Sequence, residues 1–330
     1  MNAMLTATDF DFAGVLDSVA GSVRLDLANL SATIDDNRYT ASSPAELKNE
    51  LSTQIYQRLH IRNPLIDAQP TTGEQDLAAQ LISLVPHQSI WQEADPGFES
   101  TGFVDGETRV VAKIGGVKVL LPESDVRRSA RNSVLSVRLP SWRTRTTPGY
   151  LLVIGERSPA GPSGIARLYV GCDTPAQALG LFPKLLRALA ASGSGYHLKA
   201  LSSSLAYPRS DAIVAYIPVA QAAEIAAMFS TTMADLPGMQ NSPSIFTQPL
   251  GRSIALAEEG IDQRASHRSL SFGQHRSRVL ADALFRAERE RICLHQAWAQ
   301  EAAEARIDPN RPSTNLQGAP LTTHPPIKRH

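Results

Sequence analysis

Cysteine is almost missing: Cys172 and Cys293 are the only two in 330 residues, far apart and without CxxC or Cys/His ligand spacing. This excludes a disulfide framework and a structural zinc site, so both are read as buried thiols and no metal is expected. Charge of one sign is also missing, since Lys+Arg and Asp+Glu both number 32. No global field draws the chain to nucleic acid or to an anionic membrane, and with only 6% aromatics a nucleic-acid module is disfavoured. Any basic site must be local. No Lys or Arg precedes Arg24 while Asp9, Asp11 and Asp17 do, the reverse of a secretory leader, and no apolar run reaches spanning length. A cytoplasmic location without a membrane partner is the expectation. A G-x-x-x-x-G-K-[ST] phosphate loop and a kinase HRD/DFG set are missing too, so any phosphate handled here is installed elsewhere.

What is present is a globular composition, 42% hydrophobic and 19% charged, enough for one large or two modest domains. Residues 1–95 read as a helical N-terminal region. Its clearest helix opens at Ser43-Pro44-Ala45-Glu46, carries Leu47, Leu51, Ile55 and Leu59 at spacing four, and ends at Asn63-Pro64. Residues 96–306 read as an α+β core. Arg109–Ile114, Gly115-Gly116 and Val117–Leu121 spell a hairpin, and strands are expected at 151–154, 166–170, 196–201 and 211–217. Helices are expected from Thr174-Pro175-Ala176-Gln177, with a kink or restart at Pro183, over 220–229, and as one long C-terminal helix from Gln274 to Ala305. Irregularly mixed strands and helices indicate α+β, an irregular sheet core packed with helices. Residues 307–330, with prolines at 309, 312, 320, 325 and 326, read as a flexible tail.

Three passages carry unusual charge. Arg127, Arg128, Arg131, Arg138, Arg143 and Arg145 fall between Asp125 and Glu156 without an acid, which reads first as a solvated loop. In "YHLKALSSSLAYPRSDAIVAY" (196–216), His197 and Lys199 stand two apart and share a strand face, as do Tyr207, Arg209 and Asp211, while Arg167 and Tyr169 repeat the spacing one strand earlier. Such faces are either exposed or line a polar cleft. Finally, Ser271 and Gln274 form a capping box, yet Arg264, His267, Arg268, His275, Arg276 and Arg278 crowd a helix start that prefers acids, with no carboxylate between Asp262 and Asp282. Either a bound anion completes this end, or His275 and Arg276 pair with carboxylates such as Glu258 or Glu259.

The segments "TPGYLLVIGE" (147–156), "ARLYVGCDTPAQAL" (166–179), "YHLKALSSSLAYPRSDAIVAYI" (196–217), "PLGRSIALAEE" (249–259), "SFGQHR" (271–276) and "IDPNRPSTN" (307–315) occur in this order. The chain thereby resembles the HopA-type effector family, whose relatives include lyases of class V lanthipeptide and thioamitide biosynthesis and which is related to phosphothreonine lyases. The resemblance implies metal- and cofactor-free elimination of phosphate from phosphoserine or phosphothreonine, leaving a dehydroamino acid. It implies Lys199 as base, Arg167, Arg209 and Arg276 as phosphate ligands, and Asp211, Tyr169 and Ser271 in support. The proton donor stays open among His197, Tyr207 and His275, because His197 precedes Lys199 whereas in phosphothreonine lyases the acid His follows the base Lys by two. The implied partners are a phosphorylated precursor peptide (leader and core), a separate Ser/Thr kinase-like protein and a cyclase. A secreted effector acting on host phosphoproteins, or a non-catalytic protein that binds a leader or phosphopeptide, are the competing readings.

Overall fold

A computed structural model gives the architecture over residues 11–63, 76–95, 99–128, 135–144, 146–234 and 239–316. Helix α1 (Phe12–Ser22), capped by Asp11, runs directly into a small antiparallel sheet of β1 (Val23–Asp26), β2 (Ser31–Ile34) and β3 (Asn37–Thr40). The N-terminal region is therefore not purely helical. The β2–β3 turn is Asp35-Asp36, at φ 45° and 66°, a two-residue hairpin turn written in Asp where Gly or Asn is the usual signal. Helix α2 (Pro44–Ile55) opens as expected on Ser43, whose hydroxyl accepts the Glu46 amide at 3.2 Å, and continues through a wider π turn, Tyr56–His60. Helix α3 (Ala78–Ser83) follows; Pro64 lies outside the described residues.

Strands β4 (Ser89–Glu93), β5 (Glu99–Val104), β6 (Glu107–Ile114), β7 (Val117–Pro122), β8 (Val126–Arg128) and β9 (Leu135–Pro140) build two three-stranded sheets, β5-β6-β7 and β4-β9-β8. The expected Gly115-Gly116 hairpin is β6–β7, and both glycine amides sit on the Asp95 carboxylate, at 3.1 and 2.8 Å. The basic stretch is absorbed here: Arg138 bonds Asp125, Arg128 lies 3.8 Å from Glu123 and Arg127 stacks on Trp91. Arg131 and Arg145 lie outside the described residues.

The main sheet joins β10 (Trp142–Arg143), β11 (Tyr150–Ile154), β12 (Ile165–Cys172), β13 (His197–Leu201), β14 (Arg209–Pro218), β15 (Gln248–Pro249) and β16 (Ile254–Glu258) in the order β10-β11-β13-β14-β12-β16-β15, all antiparallel. Helices α4 (Pro175–Ala191) and α5 (Ala222–Met233) cover one face, packing Leu181, Phe182, Leu185 and Phe229 on Leu151, Leu168, Leu198 and Ile213. Helix α4 runs unbroken through Pro183, where a kink or restart is expected. Its fully buried stripe of Leu181, Phe182, Leu185 and Leu186 offsets the one hydrogen bond that proline cannot donate.

The other face is covered by α2, α6 (Phe272–Glu290) and α7 (Leu294–Glu304), where Leu51, Ile55, Phe272 and Leu280 meet Tyr169, Val214 and Ala257. The expected single C-terminal helix is thus two. Arg291 takes a left-handed conformation, φ 55°, closes α6, and lets α7 fold back to bury Trp298. The expected flexible tail also begins inside the fold. Strands β17 (Ile307–Asp308) and β18 (Arg311–Asn315) form a hairpin, tied down by Asn315, whose amide donates to Glu258 at 2.9 Å and whose side chain donates to Glu259 O at 2.9 Å. Residues 317–330 lie outside the described residues. The architecture is α+β.

Candidate functional site

Register decides which side chains meet. Lys199 stands opposite Leu152 and Val214, and His197 opposite Ile154 and Tyr216. Val214 in turn faces Tyr169, and Tyr216 faces Arg167. Direct cross-strand partners share a face, so His197, Lys199, Tyr216, Arg167 and Tyr169 all lie on the side covered by α2 and α6. Strict alternation down β14 from Val214 would send Asp211 and Arg209 to the opposite, apolar side. The strand does not alternate strictly here: the ladder with β12 is irregular between the Val170–Ile213 and Cys172–Arg209 pairs, with four residues of β14 spanned against two of β12. Ala212 and Ile213 both enter the α4–α5 core, and Asp211 and Arg209 emerge beside Lys199. The bulge re-aims the pair.

The centre of the cluster is the Lys199 amine. It lies 3.7 Å from the centroid of the Tyr150 ring and makes no hydrogen bond or ion pair among the described residues. Burial brings its pKa down to about 8; Asp211 opposes that fall, and Arg167 and Arg209 add to it. Arg209, 5% exposed, grips Asp211 with two bonds, 2.7 and 3.0 Å, and donates from Nη2 to the Tyr56 hydroxyl at 3.1 Å. Burial works to raise the Asp211 pKa, but the Arg209 guanidinium outweighs it and holds the carboxyl well below its usual range. The Tyr150 hydroxyl donates to Asp211 at 3.3 Å. Burial pushes Tyr56 up to about 12, and lowers the neighbouring His60 to about 4. His60 bonds the Ser244 hydroxyl at 2.8 Å and packs so closely on α6 that a Cβ on Gly273 would lie 2.0 Å from its ring.

Along the same face, Arg167 pairs with Glu259, with Nη2 to Oε1 at 2.7 Å, and lies 5.0 Å from the Tyr216 ring centroid. The Tyr169 hydroxyl is buried without a hydrogen-bond partner among the described residues. Among the described residues no three His, Cys, Asp or Glu side chains are grouped to hold a metal ion, and no helix is long and apolar enough to cross a membrane.

The start of α6 is arranged differently from its sequence. Ser271 caps it with a complete capping box. The acids come from the two residues that bound the stretch: Asp262 bonds His275 at 2.9 Å and Arg264 at 2.8 Å, and Asp282, two turns on in α6, takes His267 at 3.2 Å and Lys48 at 2.7 Å. Glu258 and Glu259 are not the direct partners of His275 and Arg276. Arg276 is fully buried, donates to Pro312 O at 2.8 Å and to His275 Nδ1 at 2.7 Å, and leaves Nη2 without a partner among the described residues. Burial lowers its pKa to about 10. Tyr207 is likewise not brought to the amine: its hydroxyl donates to Leu201 O at 2.9 Å, and its ring packs on the α4–α5 core. His197 remains on the Lys199 face, half-buried, with its pKa lowered by burial.

The HopA1 effector protein family matches residues 141–314, more than half of the chain. The chain belongs to this family. The segment matching the HopA1 family runs from β10 to the β17–β18 hairpin and so contains Lys199, Arg209, Asp211 and Arg167. Two solved effector structures are similar. The effector from Pseudomonas syringae pv. syringae strain 61 is 19% identical, with a TM-score of 0.41 over 51% of this chain and 63% of its own. That from Pseudomonas syringae pv. tomato strain DC3000 is 20% identical, with a TM-score of 0.39 over 50% and 62%. The chain thus spans less than two thirds of either effector's length. A comparison with curated proteins returns no match.

Proposed function

We propose that this HopA1-family chain is a phosphoserine/phosphothreonine lyase that eliminates phosphate from a phosphorylated peptide. The observation that carries the reading is the Lys199 amine: without a hydrogen bond or ion pair among the described residues, brought down to about 8, and set beside the buried cation Arg209. An amine with this pKa is about one tenth neutral at pH 7, enough to serve as a base. In the proposed reaction Arg209 and Arg167 hold the phosphoryl oxygens and withdraw charge from the leaving group. Lys199 Nζ removes the Cα proton, the Cα–Cβ double bond forms, and the Cβ–O bond breaks to release inorganic phosphate. The product carries dehydroalanine from Ser or dehydrobutyrine from Thr. Atoms and electrons balance without a metal or cofactor. Tyr56 is the proposed proton donor beside His197: its oxygen accepts from Arg209 while its own proton has no acceptor among the described residues.

The substrate proposed is a ribosomally made precursor peptide phosphorylated by a separate kinase-like protein, with ring closure left to a cyclase. The family match to effectors favours a second reading, the same reaction on the phosphoproteins of a host. One experiment tests the chemistry common to both. Purified protein is incubated with a phosphothreonine peptide and the product weighed by mass spectrometry. The dehydrated peptide plus free phosphate is the expected result. Recovery of the hydroxyl peptide would indicate hydrolysis, and unchanged phosphopeptide with retained binding would indicate a non-catalytic phosphopeptide-binding protein.

A further inference from the structure

A groove of about 520 Å³ lies between α2 and α6, lined on one side by Asn49, Ser52, Thr53 and Gln57 and on the other by Gln274 and Arg278. Tyr56 also lines it, and the Tyr56 hydroxyl is the group bonded by Arg209. The groove therefore ends against the cluster that holds Lys199. Among the described residues its lining is rich in amides and hydroxyls, has one cation, and has no carboxylate. A second observation is independent of shape: Gln57 is 2% exposed and its Oε1 has no hydrogen-bond partner among the described residues. A buried acceptor without a donor is costly, and a turn of the Gln57 side chain toward the groove would let a peptide N–H satisfy it. Arg278, half-buried, donates to Asn49 and keeps further N–H groups for a ligand.

We infer that this groove binds the extended peptide segment flanking the phosphorylated residue and selects an acidic side chain opposite Arg278. The inference rests on the proposed phosphopeptide substrate and adds where the rest of that peptide lies. Backbone contacts to Gln57 and Asn49 hold the strand without regard to sequence, and Arg278 supplies the charge preference.

The test is a charge swap read by binding, independent of turnover. Fluorescein-labelled peptides carry a central phosphothreonine in an Ala/Ser background, with a single Glu or a single Lys scanned through five positions on either side. Anisotropy against the wild-type protein is expected to show tighter binding for Glu than for Lys by about fivefold, at positions on one side only. The Arg278→Glu variant is expected to reverse that preference, a gain that misfolding cannot imitate. Gln57→Leu is expected to weaken all peptides of the series alike, while leaving the charge preference intact. Equal binding of Glu and Lys peptides by the wild type, or an unaltered Glu preference in Arg278→Glu, overturns the groove assignment. The two readings fail separately: a reversed preference without phosphate release sinks the lyase and keeps the groove, and phosphate release without any charge preference does the opposite.

Discussion

Replacing Lys199 by Arg keeps a cation against the Tyr150 ring but removes the ability to accept a proton, because a guanidinium stays protonated in a protein. With the amine at about 8, the neutral fraction of wild type rises from about one tenth at pH 7 to about nine tenths at pH 9. Single-turnover phosphate release is therefore expected to climb about tenfold across that interval, with a primary isotope effect from an α-deuterated substrate if proton removal limits the rate. A positioned base is worth about 10² to 10⁴ in rate, so Lys199→Arg is expected to lose at least that much, and to lose the pH dependence with it. The same pKa has a stability consequence. Burial holds the native amine at about 8 against 10.5 for the ordinary side chain, so the unfolded chain binds more protons between those values and stability rises with pH across them. Below pH 8 the native state bears the full penalty, nominally about 3 kcal/mol and reduced by the Tyr150 contact and residual solvent access. Lys199→Met is expected to be more stable than wild type by about 1–2 kcal/mol in urea at pH 7 and inactive. Substantial turnover by Lys199→Arg, or a flat wild-type profile between pH 7 and 9, would refute Lys199 as the base.

Two further outcomes follow from the same cluster. Arg209→Ala strands Asp211, 6% exposed, as an unpaired buried carboxylate, and is expected to cost about 3–5 kcal/mol in urea unfolding. Adding Asp211→Leu to Arg209→Met is expected to recover most of that stability without restoring phosphate release. For His60, burial lowers the pKa from 6.5 to about 4, so the unfolded state takes up a proton the native state refuses, and stability falls as pH drops through that window. Thermal unfolding between pH 7 and 4 is expected to show this loss, up to about 3 kcal/mol, and His60→Gln to flatten it.

The local features were legible because their physics is local. The capping boxes at Thr174 and Ser271 form with both reciprocal bonds, and the Gly115-Gly116 hairpin closes where its glycines require. The shared face of His197 and Lys199, and of Arg167 and Tyr169, follows from the two-residue period of a strand. What was not legible depends on distant packing. Tyr56 and His60 reach the cluster only because α2 ends in a π turn over the sheet, and nothing in their own neighbourhood marks them. Tyr150 stood inside a recognised segment, but its partnership with Asp211 spans 61 positions. The Asp262–His275 pair and the αL break at Arg291 carry no Gly or motif to announce them. Tyr207 illustrates the opposite error, since its spacing from Arg209 suggested a shared face, yet its hydroxyl is bound to a backbone carbonyl.

The irregularity in β14 also acts as a parity rule. A strand has two sides, and each residue inserted or deleted exchanges them for everything beyond it. Here the residues beyond the step, Asp211 and Arg209, owe their place in the polar cluster to it. Adding one residue between Asp211 and Ala212, with the step retained, would turn a tightly paired acid and base toward Leu168 and Leu198, into a layer that offers them no partner. Substitutions in this strand can thus be graded and mild, whereas an added residue beyond the step is all or nothing, costing chemistry and folding together. Families that drift freely in sequence would be expected to admit no single-residue insertion between Arg209 and Ala212.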